Sequence, residues 1–198
     1  GSGLVGSEMC IRDRFQKGLD ELGITDKPED ITITLLSQGS ATENQLEREY
    51  LQQSISQNLG VKVELNTVGD YQMFANERDN KNYDIFVGGW FSDYNDPLDF
   101  LNVMKTGVYD SYGLYSNSEY DSLIDSLTGE NDNAKRLEIY QKLEDLLVAQ
   151  DCGVAPLYYS DKHYYYQNWV KDFYTSSFGA SQELYRASVP VSYTHLRA

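Results

Sequence analysis

The sequence predicts an α/β fold, a parallel or mixed sheet with helices packed on it, and three observations carry that reading. Segments that alternate apolar and polar residues take turns with segments whose apolar residues recur at helical spacing. The connections between them are short, which favours parallel strands joined by crossover helices. The composition, 40% hydrophobic and 13% aromatic over 198 residues, supplies one packed core or two small ones and is too apolar for a disordered acidic chain.

The elements follow in order. Phe15 to Leu22 reads as the end of a helix closed by Gly23. Asp30 to Leu35 alternates as a half-buried strand does. Thr42 and Gln45 make a capping box, Leu46, Tyr50, Leu51, Ile55 and Leu59 then recur at helical spacing, and Gly60 supplies the stop. Val61 to Leu65 is the second strand, Asp70 caps a short helix through Tyr71, Phe74 and Ala75, and Tyr83 to Val87 is the third strand, leading into Gly88, Gly89 and Trp90. In open sheets of this kind ligands bind beyond the carboxyl ends of the strands, which puts Gly88 to Asp96 where binding residues belong.

Asp96 followed by Pro97 opens a helix through Phe100, Leu101 and Met104 that Gly107 can end. Another runs from about Asn117 through Tyr120, Leu123, Ile124 and Leu127. A longer one, capped near Asp132, carries Leu137, Tyr140, Leu143 and Leu147 on one face, and the oxygen-rich run Gly129 to Asn133 before it reads as a solvated turn. Val154 to Tyr166 reads as two strands around a polar turn at Ser160 to Lys162, and six tyrosines fall between Tyr158 and Tyr174.

Charge narrows the function. Thirty-one acids against 16 bases give a formal net charge of −15, and such a chain repels phosphate backbones, so nucleic-acid binding is excluded as a function class. No stretch approaches the ~18 consecutive apolar residues a membrane helix needs.

The densest chemical signal is Gly88-Gly-Trp-Phe-Ser-Asp-Tyr-Asn-Asp-Pro97. Two glycines let the chain turn after the third strand, Trp90 offers a flat indole face, and no basic residue near Asp93 in sequence neutralises it. A carboxylate beside an indole suits an ammonium group, through a charge-assisted hydrogen bond and cation–π attraction. The same residues also fit a plain turn with a core tryptophan, and composition alone does not choose.

Other chemistries fit less well. A calcium loop starting at Asp93 fails because Pro97 falls on a ligand position and the required glycine and bidentate glutamate are missing. A hydrolase using Asp93 and Asp96 lacks a second carboxylate motif at the strand ends. His163 and Cys152 have no partner motif for nucleophilic catalysis. No cofactor or metal is expected.

The two ends stand apart. Gly3 to Arg14 and Val191 to Ala198 resemble, residue for residue, translated frames of the adapter DNA used in transposase-based sequencing libraries. Without them the chain holds 29 acids against 13 bases, a net charge of −16, and keeps one cysteine, Cys152, and one histidine, His163. A lone cysteine allows neither an intrachain disulfide nor a thiolate zinc cluster.

The blocks KGLDELG, NLGVKVEL, YDIFVGGWFSDYNDPLDFLNVM, NSEYDSLIDSL, VAPLYY and NWVKDF occur in the order and spacing of the extracellular solute-binding proteins of family 5. These are the oligopeptide- and dipeptide-binding receptors of ABC importers. The resemblance covers residues 15 to 188 and corresponds to roughly the last third of such a receptor. It implies a periplasmic-binding-protein-like lobe of type II, non-enzymatic and extracytoplasmic, periplasmic or lipid-anchored. The same resemblance implies a monomer at full length, with ABC permease subunits as partners.

It further implies the following organisation: residues 1–14 and 189–198 as adapter-derived tails, 15–155 as the second lobe, and 156–188 as a segment crossing back toward a first lobe outside this sequence. Asp93 stands where the family binds the peptide α-ammonium group, with Trp90, Phe91, Ser92 and Tyr94 lining or supporting the pocket and Tyr158 or Tyr159 available to ligand or hinge. Val87 departs from the basic residue some oligopeptide receptors carry there, so a fixed grip on a ligand carboxylate from this point is not implied. An oligosaccharide, a metal chelate or another small solute is the alternative ligand within the same fold.

Overall fold

Strand β1, Thr32–Gln38, is the centre of a three-stranded parallel sheet of order β2-β1-β3, flanked by β2, Lys62–Val68, and β3, Ile85–Val87. Thr32 pairs with Lys62 and Leu35 with Ile85, and the register holds along both ladders. The strands are joined by α2, Thr42–Leu59, and α3, Tyr71–Asp79, and preceded by α1, Gly3–Glu21. This is a computed structural model in which residues 3–39, 42–108, 114–161, 163–176, 178–179 and 182–190 are described; the chain divides into two units between Gly89 and Trp90.

In the first unit, side chains alternate across the sheet as the pleat requires. Leu35 packs with Val61 and Val63 against Phe15, Leu51, Ile55 and Leu59 of α1 and α2, while Leu36, Val68 and Phe74 pack with Tyr83 and Phe86 on the other face. Helix stops fall where glycine permits a left-handed backbone, at Gly23 (φ 69°) and Gly60 (φ 78°). Asp70 accepts from the Met73 N–H at 3.0 Å and caps α3 as expected. At Gly88 a Cβ would lie 2.6 Å from the Phe86 ring, so a larger residue there would require that ring to shift. The segment that resembles adapter sequence is helical from Gly3 onward, and the Arg12 guanidinium donates to the carbonyls of Asn58 and Gln57 at the end of α2.

The face of α2 differs from expectation. Leu46 and Tyr50 are exposed, and the inward stripe runs through buried Arg48 and partly buried Leu51, Ile55 and Leu59. Arg48 is buried, and its guanidinium donates to the Gln38 carbonyl at 3.3 Å, at the end of β1.

The regular structure of the second unit is mainly helical: α4, Leu98–Leu101, α5, Ser118–Ser126, and α6, Asn133–Glu144, which widens into a π-helical turn at Asp145–Gln150. Asn117 caps α5 and Asp132 caps α6 through their side-chain oxygens, as expected. Leu101, Met104, Tyr120, Ile124, Leu127, Leu143 and Leu147 form its core, and the Tyr120 hydroxyl is satisfied by the Leu101 carbonyl at 2.8 Å. Leu137, expected on the inner face of α6, is exposed, and Arg136 takes that side instead.

The two strands expected within Val154 to Tyr166 do not form; the described residues of that segment lie outside any strand, and Lys162 lies outside the described residues. Strand-like composition needs a ladder partner, and no described segment pairs with it. The strands of this unit are instead β4, Tyr174–Thr175, and β5, Gln182–Glu183, antiparallel, extended by a bridge between Lys171 and Ser188. Residues 191–198, with His195, lie outside the described residues. Among the described residues no helix is long and apolar enough to cross a membrane.

Candidate functional site

The turn from Trp90 to Asp99 is built by three aspartates doing different work. Asp96 starts α4: its Oδ1 accepts the Leu98 N–H at 2.9 Å, and Pro97 supplies a backbone already set for a helix. Asp99, on the first turn of α4, is buried at 6% exposure, and its Oδ2 accepts both the Trp90 indole N–H at 3.1 Å and the Asp93 backbone N–H at 2.8 Å. Asp93 itself is exposed, and among the described residues its carboxylate has no ion-pair partner.

The turn is pinned from outside as well. The Gly179 N–H donates to the Ser92 carbonyl at 2.7 Å, and the Ser92 hydroxyl donates to the Tyr94 carbonyl at 2.5 Å. Trp90 packs with its partly buried ring against the unit's core, so the indole is anchored on one side rather than wholly presented. Phe91 and Tyr94 are exposed. The Tyr94 phenol is raised from its ordinary value by burial first, and then by the Asp99, Asp96 and Asp93 carboxylates around it.

Below the turn, the Asp96 carboxylate is held by α6. Arg136 Nη2 donates to Oδ2 at 2.7 Å, the Tyr140 hydroxyl donates to Oδ1 at 2.6 Å, and Arg136 also bonds the Tyr140 hydroxyl and lies 5.4 Å from the centre of its ring. The second guanidinium nitrogen donates to the carbonyls of Leu127 and Glu130. Burial pushes the Asp96 carboxyl up, but the bonds from Tyr140 and Leu98 and the Arg136 charge outweigh it and hold the group below its ordinary value. Burial and the Asp96 bond push the Tyr140 phenol up to about 12.

These shifts fix a pH dependence. Asp96, lowered in the folded state, contributes stability present above its ordinary value of 3.8 and lost as the pH falls through the folded one. Tyr140, raised, contributes stability present below 10 and lost as the pH rises toward about 12. Chemical denaturation of the chain is expected to give a plateau from about pH 5 to 9 with losses on both sides; Asp96→Asn should flatten the acid limb.

The structure therefore gathers Trp90, Ser92, Asp93 and Tyr94 into one turn. Tyr158 and Tyr159 lie in the segment after Gly153, outside any helix or strand, the latter 94% exposed. Sequence reasoning missed Asp99, Arg136 and Tyr140. Asp99 carried a weak signal, a second acid three residues beyond the capping Asp96; Arg136 lies 40 residues from Asp96 and carried none.

A parallel α/β unit followed by a helical unit bearing this turn has the fold class of the type II periplasmic binding proteins. The substrate-binding domain of an oligopeptide ABC transporter from Bacillus anthracis superposes with a TM-score of 0.75 at 28% identity, over 88% of this chain and 33% of that one. Residues 13–111 match the description "Bacterial extracellular solute-binding proteins, family 5 Middle", and the chain belongs to that family. The oligopeptide-binding protein OppA of Bacillus subtilis strain 168 is 29% identical over 81% of this chain and 28% of its own length. The periplasmic oligopeptide-binding protein OppA of Salmonella typhimurium strain LT2 is 31% identical over 83% and 30% respectively. The chain thus spans less than a third of the length of these relatives.

Proposed function

We propose that this chain is the later part of a receptor that binds peptides outside the cytoplasm and delivers them to the permease subunits of an ABC importer, acting as a monomer and by binding alone, without turnover. Asp93 anchors the peptide ammonium group, with Trp90, Phe91, Ser92 and Tyr94 around it. Residues 15–155 belong to the second lobe and 156–188 cross toward the first, where Tyr158 or Tyr159 meets ligand or hinge.

The observation that carries this reading is the state of Asp93: an exposed carboxylate without an ion-pair partner among the described residues, on a main chain that donates to Asp99, in the same turn as an indole that donates to the same atom. A solvated carboxylate on a hydrogen-bonded turn is available to a cationic group, and holding its main chain beforehand removes part of the ordering cost of binding. Membership of a solute-binding family, and relatives named for oligopeptide binding and for the periplasm, point the same way.

A thermal-shift screen of the full-length receptor tests the ligand class. Short peptides with free amino ends should raise the melting temperature in a concentration-dependent way, as any ligand selective for the folded state does. Stabilisation by oligosaccharides or metal chelates, with none by peptides, would contradict the assignment.

A further inference from the structure

A carboxylate taken out of water is tolerated where donors meet it. Asp99 meets two on a single oxygen: the indole N–H of Trp90, nine residues back, and the peptide N–H of Asp93, six residues back. The indole bond fixes the rotation of the ring about its own axis. The peptide bond fixes the main chain from which the Asp93 side chain departs. Both converge on one atom, so the distance between the indole and the Asp93 backbone is set by Asp99 and not by the flexibility of the intervening Phe91 and Ser92. Asp99 stands on α4, which packs on α6, and the ring it holds packs against the core, so the clamp is mounted on packed elements.

We propose that Asp99 is a positioning residue for ligand binding: it holds the Trp90 indole and the Asp93 carboxylate in the relative placement an ammonium group requires. The inference rests on the reading of Asp93 as the ammonium anchor. The negative charge of Asp99 matters because both bonds are charge-assisted. An amide in its place accepts more weakly and brings two donors of its own into a buried position.

The test compares native and Asp99→Asn receptors, each titrated with a short peptide and its N-acetylated form, the variant first checked for cooperative unfolding. The ratio of the two affinities is expected to fall by about five- to tenfold in Asp99→Asn, the effect of loosening a charge-assisted contact. In the 198-residue chain, the Trp90 indole N–H should exchange faster with solvent in the variant. A residue that merely stabilised the fold would weaken both peptides alike and leave the ratio unchanged. A native receptor that discriminates, with the same ratio in Asp99→Asn, overturns the role of Asp99 alone. A native receptor that binds both peptides equally overturns the Asp93 reading and this inference with it. Should the asparagine variant not fold, Asp99→Ser, smaller and uncharged, takes its place under the same criteria.

Discussion

Asp93→Ala in the full-length receptor is expected to weaken a free-amine peptide by roughly ten- to a hundredfold, the range for losing a hydrogen bond to a charged group. The variant should fold as the native protein does, because the Asp93 carboxylate takes part in no described hydrogen bond and the residue's structural contact is its backbone N–H, which alanine keeps. Loss of binding without loss of stability is thus the expected outcome for this variant. Calorimetric titration beside a melting curve separates the two. A variant that binds as tightly as the native receptor would remove Asp93 from the site.

Arg136→Met reverses that pattern. Its guanidinium joins α6 to the start of α4 through Asp96 and Tyr140, with the Arg136 side chain 18% exposed and that of Asp96 29% exposed. Removing the cation leaves a partly buried carboxylate with only its neutral donors. Fully buried pairs broken in this way lose about 3–5 kcal/mol; partial exposure reduces the expectation to roughly 2–3 kcal/mol, or about 5–10 °C in melting temperature for a chain of this size. Adding Asp96→Asn should return part of that loss, since no unpaired charge then remains. Unfolding of the single and double variants measures it, and a single variant within 0.5 kcal/mol of native, on the order of a neutral surface change, would show the pair to be ornamental.

How far the sequence reveals this molecule depends on whether a signal is local. Asp70, Asn117 and Asp132 were legible as caps because a cap is satisfied within three residues of itself. Strand β1 was legible but read short, as Asp30 to Leu35 rather than Thr32–Gln38. A central parallel strand is buried on both faces, and the run Leu35, Leu36, Ser37 breaks the alternation that marks a half-buried one.

The helix faces were misread for a related reason. On both α2 and α6 an arginine, Arg48 or Arg136, faces inward where a neighbouring leucine, Leu46 or Leu137, was the natural candidate. Hydropathy ranks arginine last for burial, yet a guanidinium that finds a carbonyl or a carboxylate can be buried at little net cost. Those acceptors, Gln38 and Asp96, come from other elements and leave no trace in the helix sequence. The tyrosine-rich segment after Gly153 has the composition of strands, but composition does not supply a ladder partner.

At the site, the turn and its exposed acid were legible because Gly-Gly-Trp-x-x-Asp is compact and distinctive. The residue that organises the turn was not. Asp99 reads in sequence as an ordinary acid in the first turn of a helix, favoured there by the helix dipole. Only the fold shows that its oxygen points back into the turn and collects two donors.

Whether this turn receives a ligand ammonium group is decided by titrating the native full-length receptor with one short peptide in two forms, free and N-acetylated. Acetylation removes the positive charge and leaves the rest of the peptide chain unaltered. The free form is expected to bind at least about tenfold tighter, the scale of one charge-assisted contact. Equal affinities for the two forms would mean that this turn does not hold the ammonium group.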